Sequence, residues 1–194
     1  MEIILASKSP RRRELLQLVG LDFSVVPSNA DESAILEDDP ATLVRRLASV
    51  KCEAVKSARS DCLVIGADTI VVYDGQVIGK PTDAHDAKRI LRLLSGKTHT
   101  VYSGLCVMTD EKKLVCHDTT YVTFADLSDE IIDAYVATGD PLDKAGAYGI
   151  QGMFGMFVEK IDGNYFNVIG MPLPRLYELM LSAGVDIMKM NRFS

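Results

Sequence analysis

The sequence predicts an α/β fold built on a mixed β-sheet. Three observations lead there. Short apolar or β-branched runs alternate with segments of helical period, the pattern of strands interleaved with helices. Two hairpin signals interrupt the alternation, which a purely parallel, doubly wound sheet would not contain. The composition is that of a globular chain: of 194 residues, 47% are hydrophobic and 25% charged. Those values exclude a disordered chain, a collagen-like chain and a small disulfide scaffold. A chain of this size buries roughly 70% of its unfolded surface, and we read residues 1–194 as a single domain.

The elements follow in order. Glu2 to Ala6 is a short apolar run, read as a buried strand. Ser9 is a natural helix cap and Pro10 suits the first helical position, so a helix runs from there to Val19 and ends at Gly20. Phe23 to Val26 reads as a second strand, and the polar, acidic stretch from Pro27 to Asp39 as a surface loop. Leu43, Val44, Leu47 and Val50 give Ala41 to Ala58 a helical period. Cys62 to Ile65 is a continuous apolar strand that runs into Gly66-Ala67-Asp68-Thr69. Ile70 to Tyr73 and Gln76 to Ile78 flank Asp74-Gly75, a strong hairpin signal. Ala84 to Leu94 is a helix stopped by Ser95-Gly96. Thr98 to Thr109 and Lys113 to Phe124 are rich in Val, Thr and Tyr and form a second hairpin around Asp110-Glu111-Lys112. Ser128 caps a helix to Thr138, with Asp129 and Glu130 beside its positive end. Phe154 to Ile161 reads as a strand, and Pro172 to Ala183 as the last long helix.

Lys plus Arg number 21 against 27 Asp plus Glu, a formal charge of −6. A net acidic chain is a poor general binder of nucleic acid polymers or anionic membranes. It does not exclude a small anion held by a local cationic cluster. MEIILASKSP lacks the charged start and long apolar stretch of a signal peptide, and no segment approaches the roughly 18 apolar residues of a membrane span. The expectation is a soluble cytoplasmic protein. Cys52, Cys62, Cys106 and Cys116 form no C-x-x-C motif and read as reduced thiols, although Cys106 and Cys116 could face each other across the second hairpin. His85, His99 and His117 are scattered, which argues against a histidine-rich zinc site. Neither G-x-G-x-x-G nor G-x-x-x-x-G-K-[ST] occurs, so the dinucleotide fold and the P-loop lose their main support.

Several constellations carry chemistry. Ser7-Lys8-Ser9-Pro10-Arg11-Arg12-Arg13 lies where a strand ends and a helix begins. Free N–H groups and the positive helix end suit an anion there, and guanidinium groups bind phosphate bidentately. Consecutive helical residues point about 100° apart, so only one or two of the arginines can face one ligand. In Gly66-Ala67-Asp68-Thr69 a strand delivers a carboxylate to its carboxyl end, where ligands of α/β sheets gather; Asp68 there suits a metal or a base. Asp31-Glu32 could complete a hard-metal site with Asp68, since magnesium takes one or two carboxylates with water and phosphates. Lys51 and Lys80 are candidate phosphate partners against the alternative of ordinary surface lysines. Asp143 to Gly152 holds three glycines, which permit close backbone approach to a ligand, and Gln151 could read a base edge with its paired donor and acceptor.

Together, L-A-S-x-S-P-R-R, G-A-D-T and D-K-A-G-A-Y-G-I-Q-G resemble the Maf family of nucleoside triphosphate pyrophosphatases, first named as septum-formation inhibitors. The resemblance runs from Ile4 to about Ala183. It implies a single Maf-like domain with a fold like that of the inosine triphosphate pyrophosphatases: an elongated mixed sheet, surrounding helices and two lobes around a central cleft. It implies hydrolysis of a nucleoside triphosphate to the monophosphate and pyrophosphate with a divalent metal, Mg²⁺ or Mn²⁺, and is compatible with a homodimer. By position, Asp68 corresponds to the proton acceptor, and Ser7, Arg12, Glu32, Lys51 and Lys80 to the other polar site residues. The dTTP/UTP branch carries Arg, Thr and Gln at three specificity positions, here Arg11, Thr69 and Gln151. The 7-methylguanosine triphosphate branch carries Trp, Gln and Glu instead. A neutral Gln pairs with the donor and acceptor edge of uracil or thymine, whereas a Glu accepts from the N–H edge of guanine. Two other classes compete: a non-enzymatic, nucleotide-binding regulator of septum formation, and a nucleotidyl transferase that needs a second substrate.

Overall fold

The computed structural model describes residues 1–190. The strands are β1 (Glu2–Leu5), β2 (Ser24–Val25), β3 (Cys62–Tyr73), β4 (Gln76–Ile78), β5 (Thr98–Met108), β6 (Lys113–Phe124) and β7 (Val158–Asp162). The helices are α1 (Pro10–Leu18), α2 (Pro40–Lys56), α3 (Ala84–Leu94), α4 (Asp129–Ala137), α5 (Tyr165–Ile169), α6 (Leu173–Ser182) and α7 (Ile187–Met190). The sheet runs β2-β1-β3-β5-β6-β7, with β4 paired to β3. It is mixed, as expected: β1 is parallel to β2 and β3, while β4 is antiparallel to β3 and β7 to β6.

The chain divides into two compact units. The first holds Met1–Asp68, Ser103–Asp118 and Gly170–Ser194. Its register sets Ile3 opposite Leu63 and Ile4 opposite Val64. Both strands are buried apolar runs, as a parallel sheet covered on both faces requires. Asp39 caps α2 by accepting from the Thr42 N–H at 2.9 Å, and Pro40 takes the first helical position. The buried stripe of α2 is Val44, Leu47, Ala48, Cys52 and Val55. It lies close on the strands because two strand residues have no side chain. A Cβ at Gly66 would stand 2.6 Å from the Ala48 carbonyl oxygen, and one at Gly104 would collide with the Val44 carbonyl. Ile4, Ala6, Val64 and Cys106 fill the interface with α2.

The second unit holds Thr69–Tyr102 and Thr119–Ile169. Its core joins Ile90, Leu91 and Leu94 of α3 to Ile132, Tyr135 and Val136 of α4, and includes Phe124, Tyr148 and Phe154. The rings of Phe124, Tyr148 and His99 meet edge to face at centroid distances of 4.7–5.3 Å, the geometry that ring quadrupoles favour.

Two expectations need correction. Cys62–Ile65 and Ile70–Tyr73 are one strand, so Asp68 and Thr69 sit inside β3 and not in a turn at its end. Phe154 does not open a strand. Met153–Phe157 is a 3₁₀ turn, and β7 begins only at Val158; Phe154 is drawn into the aromatic core and cannot keep extended alternation. All four cysteines are free, in keeping with the reading as reduced thiols, and Cys106 and Cys116 form no disulfide. No helix among the described residues is long and apolar enough to cross a membrane.

Candidate active site

Within the first unit, side chains from four separate segments meet. Ser7 follows β1 and is buried; its Oγ accepts from the Ser9 N–H at 3.2 Å and from Nη1 of Arg12 at 3.2 Å. Ser9 caps α1 by accepting from the Arg12 N–H at 3.5 Å. Arg12 is half-buried, and its Nε donates to the Gly170 carbonyl at 3.0 Å. Arg11 is also half-buried, whereas Arg13 is exposed, in keeping with the angular spread of a helix. The strand end, the cap and one arginine therefore form a single hydrogen-bonded loop.

Opposite charge stands beside it. Lys51, in the second half of α2, places its Nζ 2.5 Å from Oδ1 of Asp68 and 3.2 Å from Oε2 of Glu32. Lys51 and Asp68 side chains keep only 12% and 15% of their exposure, while Glu32 keeps 44%. A pair so far removed from water is screened little and holds its geometry. Arg12 belongs to the same electrostatic cluster. Burial is the largest influence on its guanidinium and lowers its pKa; the Asp68 charge opposes that, Arg11 adds to it, and Glu32 again opposes it. The Gly66 close approach explains why Lys51 reaches Asp68, since it brings α2 down onto β3.

This donor set fits a hard divalent cation. Asp68 and Glu32 offer carboxylate oxygens that already converge on one positive group, and Glu32 is open to solvent. Among the described residues, no cluster of three or more His, Cys, Asp or Glu could hold a metal by itself. The remaining ligands would be water and phosphate oxygens, the coordination magnesium prefers.

Within the second unit, Lys80 and Gln151 are both exposed. The segments that carry them are joined: the Gly146 N–H donates to the Gly79 carbonyl at 3.1 Å. Gly146 and Ala147 both have left-handed backbone, with φ of 73° and 58°. For an alanine that is uncommon and costs about 1 kcal/mol or more, so the loop is held by its surroundings. Thr69 follows Asp68 in β3 and is half-buried.

The structure thus assembles Ser7, Arg12, Glu32, Lys51 and Asp68 in one unit and links the Lys80 and Gln151 segments in the other. Sequence reasoning missed the Gly170 carbonyl that orients Arg12, and the Tyr135 and Asp140 side chains that meet the Gln151 loop. A backbone carbonyl has no sequence signal. Tyr135 reads as one more apolar residue on the buried face of α4.

The profile of the Maf-like protein family matches residues 2–183. The chain belongs to the Maf family. It is 50% identical over 188 residues to a dTTP/UTP pyrophosphatase of Moorella thermoacetica, covering 96% of this chain and 97% of that one. A dTTP/UTP pyrophosphatase of Bacillus cytotoxicus is 50% identical over 175 residues, covering 90% and 92%. One from Bacillus thuringiensis subsp. konkukian is 46% identical over 186 residues, covering 96% and 97%. Among solved structures, the Staphylococcus aureus Ham1 protein superposes with a TM-score of 0.52 at 15% identity, covering 95% of this Maf protein and 100% of that chain. That likeness shows a shared fold.

Proposed function

We propose that this Maf protein is a dTTP/UTP pyrophosphatase, hydrolysing the nucleoside triphosphate to the monophosphate and pyrophosphate. The observation that carries the reading is the charged cluster of Asp68, Lys51, Glu32 and Arg12 beside the capped start of α1. A site that only bound nucleotide would need the cations; the carboxylate held at 2.5 Å from Lys51 is what hydrolysis adds. The near full-length identity to curated dTTP/UTP pyrophosphatases supports the same substrates.

In the reaction, Ser7, the positive end of α1 and the Arg12 guanidinium hold phosphate oxygens. Asp68 takes a proton from the water that attacks the α-phosphorus. The bond from that phosphorus to the bridging oxygen breaks, and pyrophosphate leaves with the electron pair. Lys51 and Lys80 stabilise the negative charge that grows on the leaving group. A Mg²⁺ or Mn²⁺ ion held by Glu32 and Asp68 would supply charge neutralisation on the phosphates. Arg11, Thr69 and Gln151 select the base, Gln151 by presenting an amide donor and acceptor to the uracil or thymine edge. The chain acts as one Maf-like domain on a free nucleotide in the cytoplasm, as a monomer or homodimer.

The test is a panel of nucleoside triphosphates with Mg²⁺ or Mn²⁺, read by the release of pyrophosphate and monophosphate. dTTP and UTP are expected to give the highest kcat/KM. Nucleotide binding without pyrophosphate release would refute hydrolysis, and a preference for 7-methylguanosine triphosphate would refute the substrate assignment.

A further inference from the structure

A glutamine can turn its amide to suit either edge of a pyrimidine. Discrimination therefore requires that the backbone beneath Gln151 be held. Gln151 lies in a turn closed by the Gly152 N–H on the Gly149 carbonyl at 3.3 Å. The same residue, Gly149, donates its N–H to the Tyr135 hydroxyl at 3.1 Å. That hydroxyl in turn donates to Oδ2 of Asp140 at 2.6 Å. Asp140 is held from its other side by Lys144, whose Nζ donates to its Oδ1 at 3.0 Å and its carbonyl at 2.5 Å. Lys144 also reaches Oδ1 of Asp143 at 2.6 Å, and its side chain is only 12% exposed. Its stem covers Gly149 closely: a Cβ there would stand 2.7 Å from Cε of Lys144.

We infer that Tyr135, Asp140 and Lys144 form a positioning relay that fixes the Gly149–Gly152 turn and thereby sets base selection by Gln151. The inference rests on the proposed reading of Gln151 as a base contact. The Tyr135 hydroxyl is suited to the middle place because it can donate and accept at once, whereas a phenylalanine could do neither. Its ring is buried in the α4 face against Phe154, so the hydroxyl is carried by a rigid part of the core. Burial, and then the bond to Asp140, raise the Tyr135 phenol, which keeps it a donor at neutral pH. Burial works to raise the Asp140 carboxyl, but the bonds from Tyr135 and Lys144 prevail and lower it, which keeps it an acceptor. None of the three side chains belongs to the Asp68 cluster, so their effect falls on selection and not on the chemical step.

The experiment compares Tyr135→Phe, Lys144→Met and Gln151→Ala with the unaltered protein. Melting temperature establishes folding. Steady-state kinetics with dTTP and dCTP give kcat, KM and the selectivity ratio, and amide hydrogen exchange reports on residues 149–152. Tyr135→Phe is expected to raise KM for dTTP and to lower dTTP-over-dCTP selectivity, each about tenfold, the effect of one lost hydrogen bond on an ordered turn. Its kcat is expected to stay within about twofold, and exchange at 149–152 to quicken. Lys144→Met is expected to change the same quantities by about threefold, and it stands in if Tyr135→Phe does not fold. Unchanged selectivity in both variants, while Gln151→Ala lowers it, overturns the relay and leaves the base contact intact. Unchanged selectivity in Gln151→Ala overturns the base contact and the relay with it. A fall in kcat that tracks melting temperature, with selectivity retained, also overturns the relay.

Discussion

Replacing Asp68 by Asn separates catalysis from folding. The substitution keeps the shape of the side chain but removes its charge and its basicity. Asp68 is paired with Lys51 at 2.5 Å, and both side chains retain about an eighth of their exposure, at 15% and 12%. Breaking a fully buried pair by removing one partner costs about 3–5 kcal/mol. Here Lys51 keeps Glu32 at 3.2 Å, so the stability loss is expected to be smaller, about 1–2 kcal/mol. The rate loss is larger. A general base contributes about 10²–10⁴-fold, or roughly 3–5 kcal/mol of barrier. The assay is pyrophosphate release from dTTP, with urea unfolding on the same preparation. Asp68 is also proposed as a metal donor, so the metal must be titrated. If rising Mg²⁺ restores turnover, the loss was one of metal affinity; a deficit that persists at saturating metal identifies the base. Turnover within tenfold of the unaltered protein at ordinary metal concentration would refute both roles.

Three other outcomes are expected. Arg12→Lys removes the Nε and Nη1 geometry that binds the Gly170 carbonyl and the Ser7 hydroxyl; KM for dTTP is expected to rise about tenfold or more, because an ammonium cannot reproduce a guanidinium fork, and an unchanged KM would remove Arg12 from the phosphate site. Gly66→Ala places a methyl 2.6 Å from the Ala48 carbonyl oxygen; the backbone of α2 must shift, costing about 1–3 kcal/mol, and because that shift carries Lys51, turnover is expected to fall with stability in a denaturant-melt and activity comparison. His99 is buried with its Nε2 on the Tyr148 hydroxyl and no partner at Nδ1 among the described residues, and burial pushes its pKa from 6.5 down to about 4. The unfolded chain then takes up the proton first as pH falls, so this contribution is complete above the unfolded pKa and is lost toward pH 4. Between pH 7 and pH 5 the loss is about 2 kcal/mol, and urea unfolding of His99→Phe is expected to show a correspondingly flatter pH dependence.

How much of this was legible beforehand differs element by element. Ser9 and Pro10 marked the start of α1, and Asp74-Gly75 the β3–β4 hairpin, because caps and tight turns are decided by neighbouring residues. Lys113–Phe124 was read to the residue, its richness in Val, Thr and Tyr being a local signal too. Phe154 misled for the opposite reason. An aromatic followed by apolar residues reads as a strand, yet the ring is needed in a core built from Tyr135, Phe124 and Tyr148. The split of β3 at Gly66 was likewise a local inference; the chain stays extended through Gly66-Ala67 as one strand from Cys62 to Tyr73.

Local pattern was enough for most of the long strands and helices, the mixed sheet, the family through its three motifs, and the residue types at the site. Tertiary structure decided which of those residues touch. Glu32 sits in a loop without period, Lys51 on the edge of the buried stripe of a helix, and Asp68 within a strand; only the close approach of α2 to Gly66 unites the last two. The Gly170 carbonyl beside Arg12 and the Tyr135 hydroxyl beside Gly149 are contacts of the same kind. Local pattern reports the conformations a segment prefers. Packing between segments far apart in the chain selects which polar atoms lose water together, and that selection sets a site's geometry and charge.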